Sequence, residues 1–288
     1  MNDSNPTVAG KPRELQGFLN AWLYHPIAGA LARALVPTPV TPNMVSVFGA
    51  LMVVSAGIFY TLVGGAWGIA TGFLLHLSWH VVDGADGMLA RLSGRASPSG
   101  EVVDGMCDYF GHGILYALLA AQLDDRIGWV ACALALAAGI SRAVQSVYAE
   151  SARRSYQWWV YDVPWLQNQR APQPGLGGAL SRAYLWAWNR MSGATQRVDA
   201  LVLSAEHDRV QRARIAEIAR AAGTRTLPVL AALGANPRTI LLGLSIIAGS
   251  PIWFFLIEVV LLNAVLVFAI AQGAASARRI AALVARGA

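Results

Sequence analysis

Asp83, Asp86, Asp104 and Asp108 fall in one stretch, VVDGADGMLARLSGRASPSGEVVDGMCDYFGH (residues 81–112), inside a chain that is otherwise largely hydrophobic. Asp83 and Asp86 are three apart and Asp104 and Asp108 four apart, so on helices each pair projects from one face onto consecutive turns. Two helices joined by a polar loop bring the four carboxylates together. In an apolar setting each charge has to be paired, protonated or bound to a cation. No lysine is near, and Arg91 and Arg95 cannot neutralise four acids. A divalent metal, or two, satisfies the cluster, and an all-oxygen ligand set favours Mg²⁺ or Mn²⁺ over zinc.

Small residues accompany the acids. Gly84, Gly87 and Ala90 leave the helix face beside Asp83 and Asp86 without bulk, and Gly100 does the same one turn before Asp104. A flat or phosphorylated ligand can then lie against the backbone. Taken alone, the same glycines read equally well as close helix contacts.

The positions of the eight residues Asp83, Asp86, Gly87, Ala90, Arg91, Gly100, Asp104 and Asp108 resemble the signature of the CDP-alcohol phosphotransferase family of membrane enzymes. A lone DxxD or DG would carry little weight; the whole pattern, in order and spacing, is specific. The resemblance implies a donor in which cytidine diphosphate is esterified to an alcohol, and an acceptor hydroxyl that attacks the phosphorus bearing that alcohol, releasing CMP. It implies Asp83, Asp86 and Asp104 as metal ligands and Asp108 as the general base, touching a metal as well. It also implies a cytidine and diphosphate site lined by Gly87, Ala90 and Gly100, with Arg91 at the pocket or on phosphate. SPSGEVVDGMCD is similar to the SPLGELFDHGCD form in choline and ethanolamine phosphotransferases, with Gly105 in place of histidine. Tyr109 stands where phosphatidylglycerophosphate synthases usually carry lysine. The headgroup is left open: a CDP-diacylglycerol donor with a polar alcohol acceptor, or a CDP-amino alcohol with a diacylglycerol-type acceptor. Members of the resembled family are commonly homodimers.

Composition gives an independent bound. Hydrophobic residues are 56% of the chain and charged residues 13%, and the mean hydropathy is +0.46, which excludes an ordinary soluble domain. The expected fold is an all-α polytopic membrane bundle of about six transmembrane helices, with an N-terminal interfacial helix and a cytoplasmic helical insertion. Membrane lipids are partners and nucleic acid is not. Cys107 and Cys132 form no metal motif or disulfide framework, and the N-terminus lacks the apolar core of a cleavable signal peptide.

Four segments are expected. Residues 1–40 form a disordered tail to about residue 11 and an interfacial helix bent at Pro26. Residues 41–157 carry four spans and the signature: a first span opened by Thr41 and Pro42 as cap and first helical position, a second through His76 and His80 to Asp83, a third from about Gly100 to Leu123, and, after a loop at residues 124–126, a fourth to about Val147. His112 is a possible orienting partner of the Asp108 carboxylate. Arg142, inside the fourth span, pairs with a motif aspartate or binds a substrate phosphate, the second being preferred because intramembrane arginines have anionic partners. Residues 158–236 form an Arg- and Trp-rich insertion with a linker at 167–178, its tryptophans anchoring at the membrane interface. Residues 237–288 hold two spans, the first capped at Asn236 or starting earlier near Leu227, and a basic tail; Glu258 is a polar contact or oligomer glue.

The basic residues of the termini, the motif loop and the insertion fall on one side and only Arg126 on the other, which places that side and the acidic site in the cytoplasm; the expected location is the bacterial inner membrane. The competing class is a cation or proton-coupled transporter, whose polar groups would be spread over several spans in an inverted repeat. The acids here sit in one compact signature.

Overall fold

The computed structural model describes residues 12–165 and 175–286, and among them it is helical without strands. The tail at 1–11 and residues 166–174, which hold the first two thirds of the expected linker, lie outside the described residues. A π-helical turn, Asn20–Tyr24, leads directly into α1, His25–Leu35. The wide turn ends just before Pro26, whose missing N–H would otherwise break the ladder, so the proline is absorbed into a continuous helix.

Helix α2, Pro42–Ile58, begins as the sequence predicts: the Met44 N–H donates to Thr41 Oγ1 at 3.3 Å and Pro42 opens the first turn. It continues through a π-helical turn, Phe59–Val63. Gly64 and Gly65, both at positive φ (58° and 60°), reverse the chain in a conformation that a side chain would strain. The helices α3, Gly65–Leu92, and α4, Pro98–Ile127, then form the hairpin that carries the acids. Asp124, Asp125 and Arg126, expected in a loop, complete the last turn of α4, which Gly128 ends. Helix α5 runs over Val130–Tyr161. There follow α6 (Gly175–Met191), α7 (Thr195–Ser204), α8 (Arg209–Ala232), α9 (Ala235–Ile247), α10 (Ile252–Leu256) and α11 (Leu262–Ala285), with a π-helical turn, Ile257–Leu261, joining the last two.

Among the described residues, four stretches are long and apolar enough to cross a membrane: Pro42–Val63, Val130–Tyr161, Arg209–Ile247 and Ile252–Ala285. The molecule is a polytopic helical membrane protein. The third stretch starts well before Asn236, in keeping with the earlier start that the sequence allowed. Gly234, not Asn236, is the residue before α9; the Asn236 amide instead donates to Asn20 Oδ1 at 2.9 Å, tying α9 to the N-terminal segment. Helices α3 and α4, of 28 and 30 residues, have the length to span but fall outside this apolar set because they carry the polar motif.

Helix α2 packs against both α3 and α4. The approach is close: a Cβ on Gly72 of α3 would stand 2.8 Å from Tyr60 Cδ1 and 2.9 Å from Ala56 O, and one on Gly111 of α4 would stand 3.3 Å from the Ala50 backbone. One core joins α2–α5 to α9 and α10 through Tyr60, Trp79, Leu119 and Phe254. A second lies among α5, α7, α8 and α11. Here the tryptophans depart from expectation: Trp158, Trp159, Trp165 and Trp188 are buried in this protein core, and only Trp186 of the group is exposed. Their indoles fill the space where the insertion docks on α5. Gly175 to Gly178, expected in the linker, belong to α6. Arg212 of α8 donates to the carbonyls of Trp158 and Trp159 and pairs with Asp162 at 3.0 Å, satisfying the otherwise open C-terminal end of α5.

Candidate active site

The α3–α4 turn sets the site. Gly94 takes a positive φ of 66°, and Ser97 caps α4 by accepting from the Gly100 N–H at 3.1 Å. Asp83 and Asp86 therefore lie near the end of α3 and Asp104 and Asp108 near the start of α4, at the same end of the bundle. Asp86 is buried. Its Oδ2 accepts from the Ser46 hydroxyl of α2 at 2.6 Å and its Oδ1 from the Gly87 N–H. The Asp86 and Asp104 carboxylates are electrostatic neighbours across the two helices. Ionised carboxylates have only acceptors and repel one another, so such neighbours need positive charge beside them. Asp83 and Glu101 are the further acidic neighbours of Asp104, and Asp108 has Asp104, Asp86 and Arg142 around it.

The four acids are thus drawn into one neighbourhood, although among the described residues no three His, Cys, Asp or Glu side chains stand as a ready-made metal cage. The donor chemistry nevertheless fits a hard divalent cation. The oxygens are carboxylate, and like charges brought together in this way call for a positive charge among them.

The small residues divide between the two readings. Gly84 is a helix contact, since a Cβ there would meet Ala28 of α1 at 3.2 Å. Gly87 faces nothing but the Arg91 guanidinium, whose Nη1 stands 3.4 Å from that Cβ position; Arg91 itself is exposed. Ala90 is half-buried one turn on. Beside Gly100 stand Ser97 Oγ and Asn43 Oδ1, the latter 3.7 Å from where a Cβ would lie. Asn43 and Ser46 come from the first turns of α2, and sequence reasoning named neither as a site residue. Their signal was polarity at the start of an otherwise apolar span.

Arg142 reaches this region from α5. It stands against the Tyr116 hydroxyl, with Glu258 and Asp108 as its charged neighbours. His112 does not orient the Asp108 side chain: its Nδ1 lies 2.9 Å from the Asp108 backbone oxygen one turn back. His76 and His80 share the Thr239 hydroxyl, at 3.3 and 3.0 Å, as hydrogen-bonded contacts between α3 and α9. Cys107 is half-buried and lines an apolar groove between α2 and α4.

The family model of the CDP-alcohol phosphatidyltransferases matches residues 39–172. The match covers just under half of the chain and supports this family for it. The matched segment opens at the cap of α2 and contains α3, α4 and α5, so all four acids, Ser46 and Arg142 lie inside it. It is accordingly a membrane transferase of the CDP-alcohol class. No curated protein matches the chain.

Proposed function

We propose that this protein makes a phospholipid or related lipid by transferring a substituted phosphate from a CDP-alcohol to an acceptor hydroxyl. The observation that carries the reading is the meeting of Asp86 and Asp104, from two helices, over a family-matched segment in which Ser46 holds one of the two carboxylates. Asp83, Asp86, Asp104 and Asp108 are the residues that would hold Mg²⁺ or Mn²⁺, two ions in the family pattern. Such a cation, when bound, supplies neutralisation of the diphosphate and of the charge that grows on departing CMP.

The chain's own groups do the rest. Asp108 takes the proton of the acceptor hydroxyl as its oxygen bonds to the phosphorus bearing the alcohol; the bridging P–O bond breaks and its electrons leave with CMP. Gly87, Ala90 and Gly100 give the cytidine diphosphate a floor without side-chain bulk. Arg91 and Arg142 contact phosphate, the first from the rim and the second from within the bundle. Arg91, Arg95, Arg153 and Arg154 lie at the site end, whereas Arg126 is the basic residue at the opposite α4–α5 turn. That asymmetry supports six crossings, with α3 and α4 among them, in a bacterial inner membrane with the site toward the cytoplasm. The chain's four segments, 1–40, 41–157, 158–236 and 237–288, and a homodimer are part of the same reading.

The experiment is CMP release by purified protein with Mg²⁺ or Mn²⁺, supplied with CDP-diacylglycerol, CDP-choline or CDP-ethanolamine, with and without acceptors. Release that needs a CDP-amino alcohol and a lipid hydroxyl assigns the headgroup to the donor. Release from CDP-diacylglycerol with a polar alcohol reverses the assignment. No CMP from any donor would remove the enzyme reading.

A further inference from the structure

Polar side chains that the acidic site does not use collect deeper in the bundle. Along α4, Asp104, Asp108, His112 and Tyr116 recur every four residues and form one stripe. Tyr116 is buried, and its hydroxyl lies 3.4 Å from Glu258 Oε1. Glu258 sits in the π-helical turn between α10 and α11 and has no solvent exposure. The same Oε1 is 2.9 Å from Arg238 Nε. Arg238 also donates to Leu233 O and to Gln145 Oε1, and Gln145 donates to Glu258 O and to Asn263 Oδ1. Asn263 donates to Ser141 Oγ, adjacent to Arg142. Glu258 Oε2 is buried with no hydrogen-bond partner.

The charges in this layer do not balance within it. Arg238 and Arg142 face the single carboxylate of Glu258, and Arg142 also interacts with Asp108 of the site. Arg142 thus stands between two carboxylates. In a low-dielectric interior an arginine beside one carboxylate closes onto it unless another anion holds it back. An Arg142–Asp108 ion pair would occupy the oxygens needed to accept a proton and the N–H groups needed for phosphate.

We propose that Glu258 is a positioning residue for the transfer reaction, holding the Arg142 guanidinium through Tyr116 and through its own charge so that it stays off Asp108 and is presented to the substrate phosphate. Arg238, Gln145 and Asn263 fix Glu258 in place for this task. The inference rests on the reading of Arg142 as phosphate-binding and Asp108 as the base.

The test is a double-mutant cycle on the full chain in lipid nanodiscs, read as CMP release with Mn²⁺ from CDP-diacylglycerol, CDP-choline and CDP-ethanolamine. Glu258→Gln is expected to lower kcat/KM by about 10- to 100-fold, the effect of one charge-assisted hydrogen bond. In an Arg142→Gln background the same change is expected to lower the residual rate no further, because Glu258 acts through Arg142. A structural partner of Arg238 alone would instead show a cost that is independent of Arg142 and follows thermal stability. That result, or an unchanged kcat/KM in Glu258→Gln, overturns the proposal. If Glu258→Gln does not fold, Arg238→Gln/Glu258→Gln removes both buried charges together; a retained loss supports the proposal and wild-type activity overturns it. CMP release that depends on Asp108 and Arg142 but not on Glu258 defeats this proposal alone. A wild-type protein that releases no CMP from any donor defeats the functional reading and this proposal with it.

Discussion

At the residue scale the site is a problem of uncompensated carboxylates, and each acid is set by what touches it. Asp108 has Arg142 nearby and is the base of the proposed reaction. Asp108→Asn keeps the shape and removes the basic oxygen, so CMP release should fall by at least about 100-fold while the melting temperature stays close to that of the parent. Ser46 supports Asp86 from another helix at 2.6 Å. Its removal leaves Asp86 less firmly aimed, and Ser46→Ala should raise the Mn²⁺ concentration for half-maximal activity by about 10-fold, as for other groups that orient a ligand; an unchanged metal titration would reduce Ser46 to packing. The aspartates were legible because their spacing is local to two helices. Ser46 was not, since its hydrogen bond joins residues 40 apart in the chain.

At the element scale two contacts govern how the helices seat. Gly72 lets α3 lie against Ala56 and Tyr60 of α2. Gly72→Val places methyl groups where backbone oxygen already stands and should destabilise by about 1–3 kcal/mol, seen as a lower unfolding temperature. The other contact docks the insertion: Trp159 Nε1 of α5 donates to Asp199 Oδ1 of α7 at 2.7 Å. Burial raises the Asp199 carboxyl to about 6, against which the Trp159 hydrogen bond works in the lowering direction. A carboxyl raised in the folded state favours folding while it is protonated. That contribution is complete below the unfolded value near 4 and is lost as pH rises through about 6, a change of ~3 kcal/mol at most. Asp199→Asn has no proton to lose, so its melting temperature should fall less between pH 4 and pH 7 than the parent's; parallel pH profiles would show that Asp199 does not couple docking to pH. The capped start of α2 was readable in Thr41 and Pro42. The seat of α9 was not, because Asn236 is drawn to Asn20 and leaves the cap to Gly234.

At the scale of the whole molecule the helix ends sort into two groups. The turns at 64–65, 128–129 and 249–251 lie at one end, and beside them Trp67, Trp129 and Trp253 are exposed. Exposed tryptophans at span ends fit an aromatic belt, a role the buried tryptophans of the insertion do not have. The opposite end carries the site and the basic loop at 93–97. With Cys107 and Cys132 replaced by alanine, an impermeant maleimide added to intact cells should label Asp125→Cys and spare Arg95→Cys. The reverse pattern would put the site on the outer face.

The sequence by itself determined the helical membrane class, through composition, and pointed to the family, through acids and small residues whose meaning depends on spacing along two neighbouring helices. It also determined where α2 begins and where the chain turns at Gly64 and Gly65, since caps and positive φ are local matters. Only the tertiary structure decided that Ser46 holds Asp86, that Gly84 is a packing contact, and that Trp188 is core. Only it brought Glu258, Arg238 and Tyr116 to Arg142. Those outcomes depend on which faces of distant helices meet, and a hydrophobic span presents nearly the same pattern to every neighbour until packing selects one.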